Sequence, residues 1–578
     1  GLPPKAEPYP NWESTGLDGH SAGHYLTALA QAVATSSHPE LSQRLHYMVA
    51  ELARVQAAHG DGYVGGVPGS RKAWEAVARG QLEISNFSVN GLWVPWYNLH
   101  KTFAGLRDTW VLTANAQARD VFVGLSDWCV RLTAQLSDTQ MQDMLRAEHG
   151  GMNEVLADAF AITGDRRYLE AAARFSHRAV LDPLLRKEDR LTGLHANTQI
   201  PKVIGFARIA ELGGDASGWD AARFFWETVV QRRSVAFGGN SVREHFNAPD
   251  DFHSMLESRE GPETCNTYNM LRLSEQLFRH EPAARYVDYY ERAHFNHLLS
   301  SQHPEHGGLV YFTPIRPQHY RVYSQPNVCF WCCVGSGMET HGKHGRFVYA
   351  HDAESLYVNL FVASTLRWPE RGLTLRQETA FPEAPRTVLH LDVEQPQRLT
   401  LRVRHPSWVR ENEFAVTVNG EPWPMRSSPS SFVALTRDWR KGDRIEVSLP
   451  MHTTVEPLPD GSDYVALLHG PLVLAAKTST ENLDGLIADD ARMGHIAPGR
   501  YEPLARSPML VGDREKLADA VRPVQGQPLT FTAADLLQPP ESRDLELIPF
   551  YRVHDARYMI YWRTTTPAGY AEVVRTVA

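Results

Sequence analysis

Residues 263–278 read ETCNTYNMLRLSEQLF. Met270, Leu273 and Leu277 recur at intervals of three and four, so the segment predicts an amphipathic helix with its polar ETC head at the N-terminal end. The same period runs from about Ser21 to His303, in HYLTALAQAV, WYNLHKTFAGLRDTW, MNEVLADAFAIT and WDAARFFWETVVQ. About ten to twelve helices are expected there. Glycines at Gly60, Gly164 and Gly213 stand where left-handed caps would stop a helix and turn the chain back. Successive helices then form antiparallel hairpins. Without a fixed repeat length, the pattern favours a closed ring of helix pairs over an open solenoid.

After about His351 the period changes to two. In RLTLRVRH, Leu399, Leu401 and Val403 share one face, and in DRIEVSL so do Ile445, Val447 and Leu449. The turn signals at Asn419–Gly420 and Gly442 suit antiparallel strands. The expected fold class is therefore multidomain α+β: a helical catalytic domain over residues 1–350, a β-sandwich over 351–458, and a second β-rich domain over 459–578. The closing stretch LELIPFYRVHDARYMIYW is expected in either sheet module.

The 578 residues carry a formal net charge of −9, with 58 basic and 67 acidic side chains and 43% hydrophobic residues. No Lys/Arg run offers a phosphate-binding face, so nucleic acid is not an expected partner. No apolar run approaches the roughly 18 residues of a spanning helix, so a membrane segment is not expected either. The chain starts GLPPKAEPYP without an initiator methionine. That fits a processed or trimmed end, and the expected location is periplasmic or secreted in a bacterium, with a cytoplasmic one left open. Nothing in the sequence sets the oligomeric state.

Five cysteines are too few and too uneven for a disulfide framework. Three fall in NVCFWCCVGSGMETHGKH, residues 327–344. The adjacent Cys332 and Cys333 are badly shaped to bridge each other. Together with Glu263 and Cys265 they make a complete four-donor set for Zn²⁺, provided the two segments meet. The competing reading is a group of buried free thiols. Cys329 gives a C-x2-C spacing with Cys332 that competes as a zinc pair, and Cys129 is expected in the core.

The ETC motif, the CCVGSGMETHGKHG run, GGNSVREHF from Gly238, LDGHSAGHYL, VPWYNLHKTFAGL, EHGGMNE, LHANTQIPK and PFYRVHDARYMIYW together resemble glycoside hydrolase families 127 and 146, which contain β-L-arabinofuranosidases. The resemblance is nearer family 146. It implies an (α/α)6 barrel, a zinc ion held by Glu263, Cys265, Cys332 and Cys333, Cys332 as nucleophile and Glu244 as general acid/base of a retaining hydrolase. It also places His100, Asn153 and His195 near the sugar. Retention needs one group that bonds to the anomeric carbon and another that gives and then takes a proton. To start protonated, Glu244 should have a raised pKa. The implied partner is a plant glycan cut from its end. A related furanoside, a non-catalytic sugar-binding protein with structural zinc, and an enzyme using two carboxylates elsewhere are the rival readings.

Overall fold

The structure is a computed structural model that describes residues 2, 5–36, 38–213 and 216–577. Six helices form its centre: α1 (His20–Ser36), α2 (Pro95–Thr113), α3 (Met152–Thr163), α4 (Ala196–Gly213), α5 (Thr264–His280) and α6 (Cys332–Lys343). Each packs on the next, and α6 packs back on α1, which closes the ring. The helices Pro39–His59, Ala116–Thr133, Arg166–Arg174, Ser217–Arg232 and Ala284–Ala293 follow α1 to α5 in turn and cover them from outside. The inner helices are thus buried on nearly every side, as α4 is from Ala196 to Ala207.

The ring is tight because glycine lets two helix crossings close. A Cβ on Gly23 of α1 would lie 2.2 Å from the Lys101 carbonyl carbon of α2, and one on Gly335 of α6 would lie 2.2 Å from the His24 ring. Gly60 and Gly164 cap their helices at φ of 77° and 76°. The stop expected after Gly213 reaches residues 214 and 215, outside the described residues. Among the described residues, fourteen α-helices lie between His20 and Ala293. The excess over the expected number comes from short segments such as Asp138–Leu145 and His253–Glu257, too brief to show a period.

Beyond the ring, a four-stranded sheet (Ser431–Trp439, Gln397–His405, Ser355–Val358, Tyr349–His351) faces a six-stranded one built from strands between Ser364 and Ser448. Leu399, Leu401, Val403, Ile445 and Val447 are buried between them in one apolar core. This module starts at Tyr349, slightly before the expected boundary. The third module starts earlier than residue 459, because Thr453–Pro457 pairs with Tyr464–His469. The final strands stay within that third module: Tyr561–Thr565 pairs with Tyr464–His469, and Arg557–Met559 with Leu472–Ser479. No described helix is long and apolar enough to cross a membrane.

Arg404 ties the first sheet module to the ring. Fully buried, it donates to Asp288 at 2.6 Å, to Glu291, and to the Asn359 carbonyl at 2.6 Å. Removing the guanidinium leaves two carboxylates facing each other in a dry interface. Arg404→Ala is therefore expected to cost about 3–5 kcal/mol, measured by denaturant unfolding. An unchanged midpoint would show that water reaches the interface.

Candidate functional site

The N-termini of α5 and α6 converge on one buried cluster. Glu263 is the residue just before α5 and Cys265 lies in its first turn, while Cys332 and Cys333 begin α6. The adjacent cysteines thus stand at a helix start. Glu263 Oε1 lies 3.6 Å from both the Cys332 and the Cys333 Sγ, and those sulfurs are 3.9 Å apart. Cys265 Sγ contacts Ser336 Oγ at 3.1 Å. All four donor atoms lie within 4.8 Å of one another, and all four residues are buried.

The electrostatics of this cluster call for a cation. Burial, with the neighbouring Cys332 and Glu244 charges, pushes Glu263 well above the usual carboxylate range. Burial likewise raises Cys332 and Cys333, with the Cys265 thiol adding to it. At Cys265 the hydrogen bonds from Cys332 and Cys333 outweigh burial and bring the thiol down to about 6. The unaided protein thus favours one negative charge among four groups. Glu263 Oε1 accepts from Asn197 Nδ2 at 3.1 Å, but Oε2 is buried with no partner. Three sulfurs and a carboxylate with one orphaned oxygen, all buried, fit a tetrahedral divalent ion. Helix dipoles from two N-termini also favour thiolates here.

Cys329 does not join the cluster. Its Sγ donates to the Asp489 carbonyl at 3.3 Å and accepts from the Gln325 N–H at 3.3 Å, so the C-x2-C pairing is not formed. Cys129 is buried in the helical core.

Glu244 lies in a loop where Ser241, Arg243 and Glu244 have φ of 78°, 48° and 66°. Three non-glycine residues in the left-handed region store strain that a rigid surround must hold, which is typical of functional loops. The Tyr311 hydroxyl donates to Glu244 Oε1, and His195 Nε2 lies 3.6 Å from Oε2. Tyr311 is tied to the cluster through the backbone, because the Thr264 N–H donates to its carbonyl at 3.0 Å and Phe312 bridges Glu263. The expectation of a raised Glu244 pKa fails: burial does push it up, but His195, Tyr311 and His495 outweigh burial and hold it at about 2. No local pattern marks Tyr311 or His495, which come near Glu244 only in the folded chain.

The other expected sugar contacts separate. His195 stands beside Glu244, in ring contact with Phe87, His149 and His245. Asn153 instead joins α3 to α4, its Nδ2 donating to the Lys202 carbonyl at 3.0 Å. His100 is buried with both ring nitrogens unpartnered, over Gly151. It lines a cavity of about 340 Å³ inside the ring, which touches Cys265 and Cys332 but not Glu244.

Comparison with known proteins places the chain in a family. Residues 1–346 match the catalytic domain of GH127 β-L-arabinofuranosidases, residues 355–451 match that family's middle domain, and residues 454–564 match a domain of unknown function. A non-reducing end β-L-arabinofuranosidase of Bifidobacterium longum subsp. longum is 25% identical in an alignment of 388 positions that covers 60% of this chain and 55% of that one. The chain therefore spans little more than half the length of this curated relative. Among solved structures, a GH127 β-L-arabinofuranosidase from Geobacillus stearothermophilus T6 superposes with a TM-score of 0.69 at 18% identity, over 97% of this chain and 92% of that one. The GH127 β-arabinofuranosidase BT3674 gives 0.69 at 20% identity, over 98% and 91%. With most of its length matching the family's catalytic domain, the chain belongs to the GH127 β-L-arabinofuranosidase family.

Proposed function

We propose that this protein is a retaining, exo-acting β-L-arabinofuranosidase of the zinc–cysteine type, releasing L-arabinofuranose from plant glycans in the periplasm or outside the cell. The observation that carries the reading is the buried Glu263–Cys265–Cys332–Cys333 set, joined through Tyr311 to Glu244. The closed ring of paired helices supports an (α/α)6 barrel and the two facing sheets a β-sandwich. The sequence motifs favour a place near family 146.

Glu263, Cys265, Cys332 and Cys333 would hold the zinc, whose charge lets thiolates persist in a buried site. Cys332 attacks the anomeric carbon while Glu244 protonates the departing oxygen, leaving a thioglycoside on Cys332 and an ionised Glu244. Glu244 then takes a proton from the incoming water, whose oxygen displaces the Cys332 sulfur, and two inversions give net retention. Because Glu244 is ionised in the free site, its first proton has to arrive with substrate binding. The groups facing the carboxylate are the Tyr311 hydroxyl on Oε1 and His195 Nε2, 3.6 Å from Oε2.

A chromogenic β-L-arabinofuranoside is expected to be hydrolysed, and NMR of the earliest product should show the substrate's anomeric configuration. Inversion would remove the nucleophile from the scheme. Sugar binding without turnover would leave a lectin with a closed metal site, and turnover confined to another furanoside would change the substrate but not the chemistry.

A further inference from the structure

The third module sends the segment 483–498 away from its own sheet and onto the mouth of the helical ring. Asn11 Nδ2 donates to the Asp490 and Ala491 carbonyls at 3.1 and 3.0 Å, Trp12 Nε1 to the Arg492 carbonyl at 3.0 Å, and Gln325 Nε2 to that of Ala488 at 2.7 Å. The Arg492 guanidinium lies 4.0 Å from the centre of the Trp93 ring. Ala488 and Ala497 belong to the same apolar cluster as Cys265, Cys332, Cys333 and Tyr311. At the end of this segment His495 is 3% exposed and stacks on Tyr311, with ring centres 4.2 Å apart and planes 27° from parallel. The His495 ring also meets Trp331, the residue before Cys332, edge-on at 5.3 Å.

We infer that the third module is part of the catalytic apparatus, with His495 as a positioning residue whose ring clamps Tyr311 so that the Tyr311 hydroxyl holds Glu244. The inference rests on the acid/base reading of Glu244. Two observations lead to it. The hydroxyl reaches Glu244 only if the Tyr311 ring keeps its tilt, and the ring stacked on it in this way comes from another module. The segment that carries His495 is itself fixed at the ring by four hydrogen bonds from Asn11, Trp12 and Gln325, so the imidazole is held in place against Tyr311.

The test compares His495→Ala with His495→Phe in the full chain. Two substrates are used, an alkyl β-L-arabinofuranoside that needs its leaving oxygen protonated and an aryl one that barely does. Misplacing the acid should cost about 10²-fold on the alkyl substrate, with only a few-fold loss on the aryl one in the glycosylation step. His495→Phe keeps the stack and should return both rates to within a few-fold of wild type. Metal content and thermal midpoint accompany each variant. Equal loss on both substrates, no loss at all, or a Phe variant as impaired as the Ala variant would overturn the inference. Should His495→Ala fail to fold, Arg492→Ala loosens the segment at the rim and is expected to change the substrate ratio in the same direction. An unchanged ratio would again count against it. A wild-type enzyme inactive on both arabinofuranosides would instead strike the proposed function. The positioning claim is then judged on the crystal structure of His495→Ala, where the Tyr311–Glu244 hydrogen bond should be lost and its persistence would refute the clamp.

Discussion

Cys332→Ser is expected to lose turnover by roughly 10⁴–10⁶-fold, the scale on which removal of a covalent nucleophile is felt. Cys333→Ser, with zinc restored, should keep a measurable part of it. The two side chains are neighbours at the start of one helix, each 3.6 Å from Glu263 Oε1, so their chemistry is nearly the same. Both substitutions remove a thiolate donor, and both are expected to weaken metal binding. Only one should end covalent chemistry. A thiol-reactive furanose mimic, followed by peptide mass mapping, should label Cys332 in the wild type and, more slowly, in zinc-supplemented Cys333→Ser. Label on Cys333, or a Cys332→Ser enzyme with near-normal turnover, would exchange the roles.

The parts of this protein that were legible in its sequence are those where periodicity or chemistry is local. The helices ending at Gly60 and Gly164, the strands carrying Leu399 and Ile445, and the four donors Glu263, Cys265, Cys332 and Cys333 each announce themselves within a few residues. The helix beginning at Cys332 was hidden by its own glycines, since Gly335, Gly337 and Gly342 lower helix propensity in sequence. Gly335 is there so that His24 of the neighbouring helix can approach. Asn153 is placed near the sugar by its family motif alone, and no local pattern shows that its amide bridges two helices. What could not be read at all was long-range. Tyr311 lies 67 residues from Glu244, and His495 comes from a different module, so no local pattern records that they meet. The raised pKa expected for Glu244 fails for the same reason: the acid role asks for a protonated carboxyl, but the groups that face it, His195, Tyr311 and His495, come from distant parts of the chain.

Glu244→Gln is the second large effect, and its size should depend on the leaving group. With natural glycans the departing oxygen is strongly basic and needs a proton, so the loss is expected at roughly 10²–10⁴-fold. With an activated aryl glycoside the first step should slow far less. The second step, in which Glu244 removes a proton from water, should then become limiting, and the thioglycoside on Cys332 should accumulate as a burst of released aglycone. The pH behaviour follows from the neighbours of Glu244. Its carboxyl is held at about 2, with burial raising it and the His195 contact leading the groups that lower it. Glu244 is therefore ionised in the free enzyme, and the acid step waits for a proton that arrives with substrate binding. In His195→Phe the main lowering influence is gone while burial remains, so Glu244 should titrate higher, moving from about 2 toward the range of an ordinary or raised carboxyl. Following the Glu244 carboxyl by carbon-detected NMR in the two proteins reads this directly. An unmoved titration in His195→Phe would mean that Tyr311 and His495 hold the charge, and the proton would then have to come from substrate or solvent.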